Sequence, residues 1–245
     1  MSAEAPTITF TVSNQTYGVT PFAVSANSNS SGTITYSVVS GPATTSGSSV
    51  TITGLGTVVL QASQAANGDY TAGTQDASFS VSAEAPTITF TVSNQTYGAS
   101  PFAVSATSNS SGTITYSVVS GPATVSGATV TITGAGTVVL QASQAASGDY
   151  TAGTQNASFT VAKATPTITW ATPTGITYGT ALSSTQLDAT SSVAGTFGYT
   201  PAAGTVLTAG SQPLSVSFTP TDTADYSTAA ANVTMTVSQA TPSIT

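Results

Sequence analysis

Residues 3–82 recur as residues 83–162 with only eleven substitutions, and a third, more diverged copy begins near residue 163. Self-similarity on this scale decides the architecture before any local reading does. Four sets of marks hold the register. They are Pro6, Pro86 and Pro166; the run Thr-Ile-Thr ending at Phe10, Phe90 and Trp170; the pairs Tyr17-Gly18, Tyr97-Gly98 and Tyr178-Gly179; and the pairs Asp69-Tyr70, Asp149-Tyr150 and Asp225-Tyr226. Each of these Asp residues lies 17 positions before a Pro, at 86, 166 and 242, so residues 240–245 read as the opening of a fourth copy. The expected domains are therefore 1–83, 84–163 and 164–239, with 240–245 a truncated start, and the parent protein is expected to be longer than this chain. Met1-Ser2 reads as the start of a fragment, with any signal peptide outside it.

Within a repeat the apolar period is two. Ile8, Phe10 and Val12 alternate with Thr7, Thr9 and Thr11, and the stretches around Thr33–Val38, Val50–Thr53 and Ala77–Val81 behave alike. Such alternation is the mark of a half-buried strand with one wet face, and β-branched Thr suits that face. Gly and Pro punctuate the runs as turn residues do. The spacing predicts strands near 6–12, 22–28, 33–39, 43–46, 49–53, 57–64 and 76–82. About seven short alternating strands in about 80 residues predict an all-β chain of immunoglobulin-like sandwiches arranged end to end.

Composition removes whole classes of function. Thr and Ser supply 87 of 245 residues, while charged residues are 4% of the chain. With Lys163 the one cation, a net charge of −7 and no His or Cys, no phosphate-binding surface is available. Zinc or haem sites built on those ligands are excluded, as are Ser-His and Cys-His nucleophile pairs. No stretch has the roughly 20 apolar residues of a membrane helix. At 39% hydrophobic residues, the chain is unlike a disordered one.

The Pro-Thr-Ile-Thr opening, the Tyr-Gly, the Gly-x-Gly-Thr-Val before a strand and the late Asp-Tyr resemble bacterial immunoglobulin-like repeats of the Big/MBG type. The resemblance covers all three repeats. It implies tandem domains of a large secreted or surface-attached protein, serving as spacer, adhesin stalk or occasional binding tip. The Cys pair and Trp that pin antibody-type sheets are missing, and Tyr36 and Tyr116 are placed as fillers of the Trp position. Relatives with Lys–Asn cross-links need a lysine in each domain, and Lys163 lies in a linker. A Thr–Gln ester between Gln75 and Thr7, Thr9 or Thr11 is a further possibility that the resemblance raises.

The Asp-Tyr marks are read as turns between the last two strands, with Asp capping its own backbone and Tyr packing on the sandwich end. Tyr-Gly is read as architecture, Gly for a positive φ and Tyr for the core edge. Trp170 is read as packing. Asp222, Asp225 and Glu84, with Glu4, are the candidates for calcium at the repeat junctions, although Ca²⁺ wants six to eight oxygens. Scattered acids predict no glycosidase pair, and twisted sheets predict no flat ice-binding Thr array.

Only Ser82–Pro86 and Ala162–Pro166 separate consecutive repeats, and Pro stiffens such a link. Each repeat is expected to add roughly 35–45 Å to a rod. The function expected is a non-catalytic structural spacer or stalk, extracellular or on the cell surface and plausible in adhesion. It has no cofactor, no nucleic-acid partner and no membrane insertion. Its partners are the neighbouring domains of the chain, with self-association open and the ligand unnamed. One alternative is a filament subunit that assembles by strand addition at sheet edges. A carbohydrate-binding module is the second.

Overall fold

The computed structural model describes residues 2–241; the Pro242 mark and most of the expected fourth repeat lie outside the described residues. Contacts divide the chain into two compact units, Met1–Phe90 with Ala106–Thr115 and Ala142–Gln155, and Thr91–Ser105 with Tyr116–Gln141 and Asn156–Thr245. The division passes through the second repeat. The described residues form strands and turns, with no helix long and apolar enough to cross a membrane.

The first unit holds the whole first repeat. Its strands are β1 (Ile8–Phe10), β2 (Gln15–Thr16), β3 (Phe22–Ala23), β4 (Ala26–Ser28), β5 (Ile34–Ser40), β6 (Ala43–Ser46), β7 (Ser49–Ile52), β8 (Gly56–Gln64) and β9 (Gly73–Ser82). One layer runs β2-β9-β8-β5; the other combines β1-β4 with β3-β7-β6. The second predicted strand is broken into β3 and β4, and β2 is a further short segment beyond the end of the first, so nine segments stand where seven strands were expected. The resulting order is that of an immunoglobulin-like sandwich.

The step from β1 to β2 has a visible cause. β1 pairs antiparallel with β4 in one layer, whereas β2 pairs parallel with β9 in the other. Between them Asn14 accepts a hydrogen bond from the Ser80 backbone N–H through Oδ1, at 2.9 Å, and carries the chain across.

Alternation delivers the core. Val58, Leu60 and Ala62 of β8 line one face of their sheet beside Ala77, Phe79 and Val81 of β9, and Ile8, Phe10, Val24 and Val50 complete the same core cluster. Tyr36 fills the expected position on β5. Its ring is 5.5 Å from Phe10, and its hydroxyl accepts from the Ala26 N–H at 2.8 Å. β8 ends on a buried glutamine. The Gln64 side chain accepts from Ser28 Oγ at 2.6 Å and donates to the carbonyls of Ser30 and Gly32. This satisfies the amide and pins the loop before β5.

The second repeat reproduces these segments as β10 (Ile88–Phe90), β11 (Gln95–Thr96), β12 (Phe102–Ala103), β13 (Ala106–Ser108), β14 (Ile114–Ser120), β15 (Ala123–Ser126), β16 (Thr129–Ile132), β17 (Gly136–Gln144) and β18 (Gly153–Ala162). In the first unit β10 pairs with β13. In the second, β11 pairs parallel with β18, and β16 lies between β12 and β15.

The third repeat, in the second unit, is leaner: β19 (Ile168–Thr169), β20 (Ile176–Thr177), β21 (Thr190–Ser191), β22 (Gly195–Thr200), β23 (Gly210–Pro220) and β24 (Ala229–Ser238). One layer runs β20-β24-β23-β22 and β19 pairs with β21. Residues 201–209 replace the stretch that forms β6 and β7 in the first repeat, and the place of β3 is held by a single bridge between Ala181 and Val206, so six segments are described instead of nine. Leu182, Leu187, Leu207, Leu214, Met235 and Val237 form its core.

Candidate inter-repeat interface

Two of the recurring marks meet. In the first unit the rings of Tyr17 and Tyr150 lie edge to face, centroids 5.7 Å apart at 83°. In the second unit Tyr97 and Tyr226 do the same, at 5.4 Å and 90°. The Tyr-Gly of one repeat thus receives the Asp-Tyr of the next. The edge-to-face geometry is the one the aromatic quadrupole favours.

The receiving side is built identically three times. The parallel pairing of β2 with β9 continues into a 2.8 Å bond from Tyr17 N–H to Ser82 O. Tyr97 N–H to Ala162 O and Tyr178 N–H to Ser238 O repeat it at the same length. The following glycine turns the chain with φ of 83°, 83° and 94° at Gly18, Gly98 and Gly179.

The delivering side is a tight turn. Asn67 and Tyr70 exchange backbone hydrogen bonds of 3.1 Å, and Ser147 and Tyr150 do likewise. The linker grips this turn as a one-residue parallel bridge. Glu84 N–H donates to Asp149 O, and Thr151 N–H donates to Glu84 O; Glu4 and Ala164 hold the equivalent places with Asp69 and Asp225. The short link is therefore bonded on its C-terminal side to the repeat it introduces.

The two junctions differ in their acids. Glu84 lays its carboxylate over Gly18, where a Cβ would stand 2.2 Å from Oε2. In the second junction Ala164 replaces that residue, and Asp225 accepts a 2.6 Å bond from the Ala135 N–H. Lys163 donates through Nζ to Thr223 O. The Asp225 carboxylate, followed by burial, Tyr226 and Asp222, pushes the Tyr97 phenol above its ordinary value. Burial first, then Glu84, Tyr17 and Asp149, raises Tyr150.

The remaining candidates fall as follows. Asp222 caps its own backbone, accepting from the Ala224 and Asp225 N–H groups at 3.0 and 3.2 Å. Asp225 instead spends an oxygen on the preceding repeat, which corrects the expectation of a purely local cap. Pro6 packs over Gly73 and Pro86 over Gly153, while Pro166 is buried. Trp170 packs 5.4 Å from Tyr199 and donates through Nε1 to Gln186 O at 3.1 Å. Gln75 donates to Asp76 O, while Thr9 faces Asn27 in the other layer. Among the described residues no three acids converge in a metal-binding group. In the sequence, Tyr-Gly and Asp-Tyr stand as separate features. Their shared recurrence was the signal that they are partners.

The strand order and the two junctions define the class: a tandem immunoglobulin-like repeat chain. No family model matches the sequence, and no curated protein matches it. Among solved structures, the chain is similar to Drosophila N-cadherin EC1-3 at 12% identity and TM-score 0.31, covering 94% of this chain and 98% of that one. It is similar to Sidekick-1 immunoglobulin domains 1–5 at 13% and 0.31, covering 98% and 60%. It is similar to the titin I-band fragment I67–I69 at 9% and 0.29, covering 98% and 100%. These superpositions are loose, and the fold assignment rests on the strand order itself.

Proposed function

We propose that this chain is a non-catalytic spacer or stalk segment of a bacterial extracellular or cell-surface protein that serves adhesion. Its three repeats act as three domains in series. The observation that supports this reading is the junction, made twice from the same marks. A linker of about five residues, bonded to the turn it introduces at a junction where two tyrosine rings meet, restricts bending far more than a Gly/Ser linker of that length. A hydroxyl-rich surface leaves little charge for salt to screen, so spacing is held at varied ionic strength.

Small-angle X-ray scattering, extrapolated to zero concentration, tests the reading. The expected result is an elongated particle whose maximum dimension is unchanged by salt, calcium or chelator. A particle whose maximum dimension is that of one compact globule overturns it.

A further inference from the structure

The third repeat lacks a side-chain pair that the other two share. On the outer face of the first repeat, Gln61 of β8 stands opposite Asp76 of β9 and donates to its carboxylate through Nε2 at 2.9 Å. In the second repeat Gln141 donates in the same way to Asn156 Oδ1, at 3.1 Å. The register puts Ser215 of β23 and Asn232 of β24 at that point of the third repeat. Ser215 Oγ donates instead to Thr200 O at 3.1 Å. Among the described residues the exposed Asn232 amide has no hydrogen-bonding partner. It lines an open recess of about 720 Å³, a size common for small-molecule sites. Thr172 borders the recess from the segment between β19 and β20, and Pro201 from the end of β22.

The geometry points to a binding site for a neutral sugar ring on the β23–β24 face of the third repeat. Pro213 and Ser215 stand outward because Leu214 and Val216, which alternate with them, are buried, and Thr234 lies opposite Pro213. The rings of Pro201 and Pro213 offer C–H surface. The Asn232 amide can donate and accept at once, beside the hydroxyls of Thr172, Thr200 and Thr234. A pyranose has the matching parts, an apolar C–H face and a rim of hydroxyls. No charged side chain lines the recess, so an ion of either sign finds no counter-charge. The net charge of −7 opposes an anion further. Pairing of β22 with β23 stops at Ser215, but a peptide strand added beyond it would meet Pro213, which has no N–H for a ladder. One ring in so open a site binds with a dissociation constant on the order of 10 mM. The site confines the carbohydrate-binding alternative to one repeat and does not depend on the spacer reading.

Amide NMR spectra of the isotope-labelled full chain test it. The methyl glycosides of glucose, mannose and galactose are each titrated to about 0.1 M, with glycerol as the control for a hydroxyl-rich solute. The expected result is a saturable shift of the Asn232 side-chain amide and of the backbone amides of 214–215 and 232–234 with at least one sugar, and none that saturates with glycerol. Asn232→Ala weakens that binding at least tenfold. Ser215→Gln does the same by giving Asn232 the partner that Asn156 has in the second repeat. Because the second repeat accommodates that pair, loss of binding in Ser215→Gln is not misfolding, and the unchanged remainder of its spectrum confirms this. Absence of a saturable shift with all three sugars overturns the inference. So does glycerol acting like the sugars, an equal response at the corresponding face of the second repeat, or binding that survives either substitution.

Discussion

The backbone N–H of Ala135 donates to the carboxylate of Asp225 at 2.6 Å, a bond spanning 90 residues of sequence from the turn before β17 to the Asp-Tyr turn of the third repeat. Its counterpart in the first junction is different: Leu55 stands where Ala135 does and is 37% exposed. Asp225→Ala removes an acceptor from a half-buried N–H, and a loss of about 1–2 kcal/mol is expected. Asp69→Ala, at the exposed equivalent, changes stability by less than about 0.5 kcal/mol. Urea midpoints of the two variants check the contrast, and equal losses would refute it.

The same carboxylate sets a pH limit on the second junction. The folded pKa of Tyr97 is raised above 10.0, chiefly by Asp225, so the folded state holds that proton more tightly than the unfolded one. The stabilisation is whole below pH 10 and is lost as pH rises through the higher folded value. Phenolate absorbance, taken as the difference between wild type and Tyr97→Phe, gives the titration. Asp225→Asn is expected to move it down, and an unmoved curve would rule out the carboxylate as the main cause.

The tyrosine pair of the first junction is expected to show coupling. Tyr17→Ala and Tyr150→Ala, combined in a double-mutant cycle, should give an interaction energy of about 0.5–1.5 kcal/mol. Additive losses, measured by denaturant unfolding, would mean that the rings touch without stabilising each other.

Gln64 is the buried polar group whose loss should be felt most in the first repeat. Gln64→Leu leaves two carbonyls and the Ser28 hydroxyl without their partner. A loss of about 2–3 kcal/mol is expected, together with faster amide exchange across residues 29–33. Unchanged exchange there would show that the loop is held by other means.

The turn from β5 to β6 gives a sharp test of backbone geometry. Gly41 has φ of 98°, and a Cβ there would meet the Thr57 carbonyl oxygen at 2.2 Å, whereas a Cβ at Gly47 meets nothing within 4 Å. Gly41→Ala is expected to lower the melting temperature well beyond the loss from Gly47→Ala, whose cost of about 1 kcal/mol is the left-handed φ alone. Similar losses at both sites would contradict the geometry.

The strands were legible because their faces are written residue by residue. Thr against Ile, Phe and Val at a period of two states which side is wet, and the long runs that became β5, β8 and β9 lie close to where alternation placed them. The crossing at Asn14 was not legible. It depends on the Ser80 N–H, 66 residues away, being left free to bond that side chain. Nor does alternation show that Gln64, at the end of a buried face, closes a loop instead of meeting water.

The sequence by itself determined the repeats, the alternating layers and the marks, because each is a local or periodic property of one stretch of chain. Only the tertiary structure decided that Tyr17 faces Tyr150, that Tyr97 faces Tyr226 and that Asp225 reaches Ala135. Those relations join different repeats, and near-identical sequences carry no local signal of which copy faces which. The pairing is fixed by where each sandwich places its turn, a property of packed strands and not of any one segment.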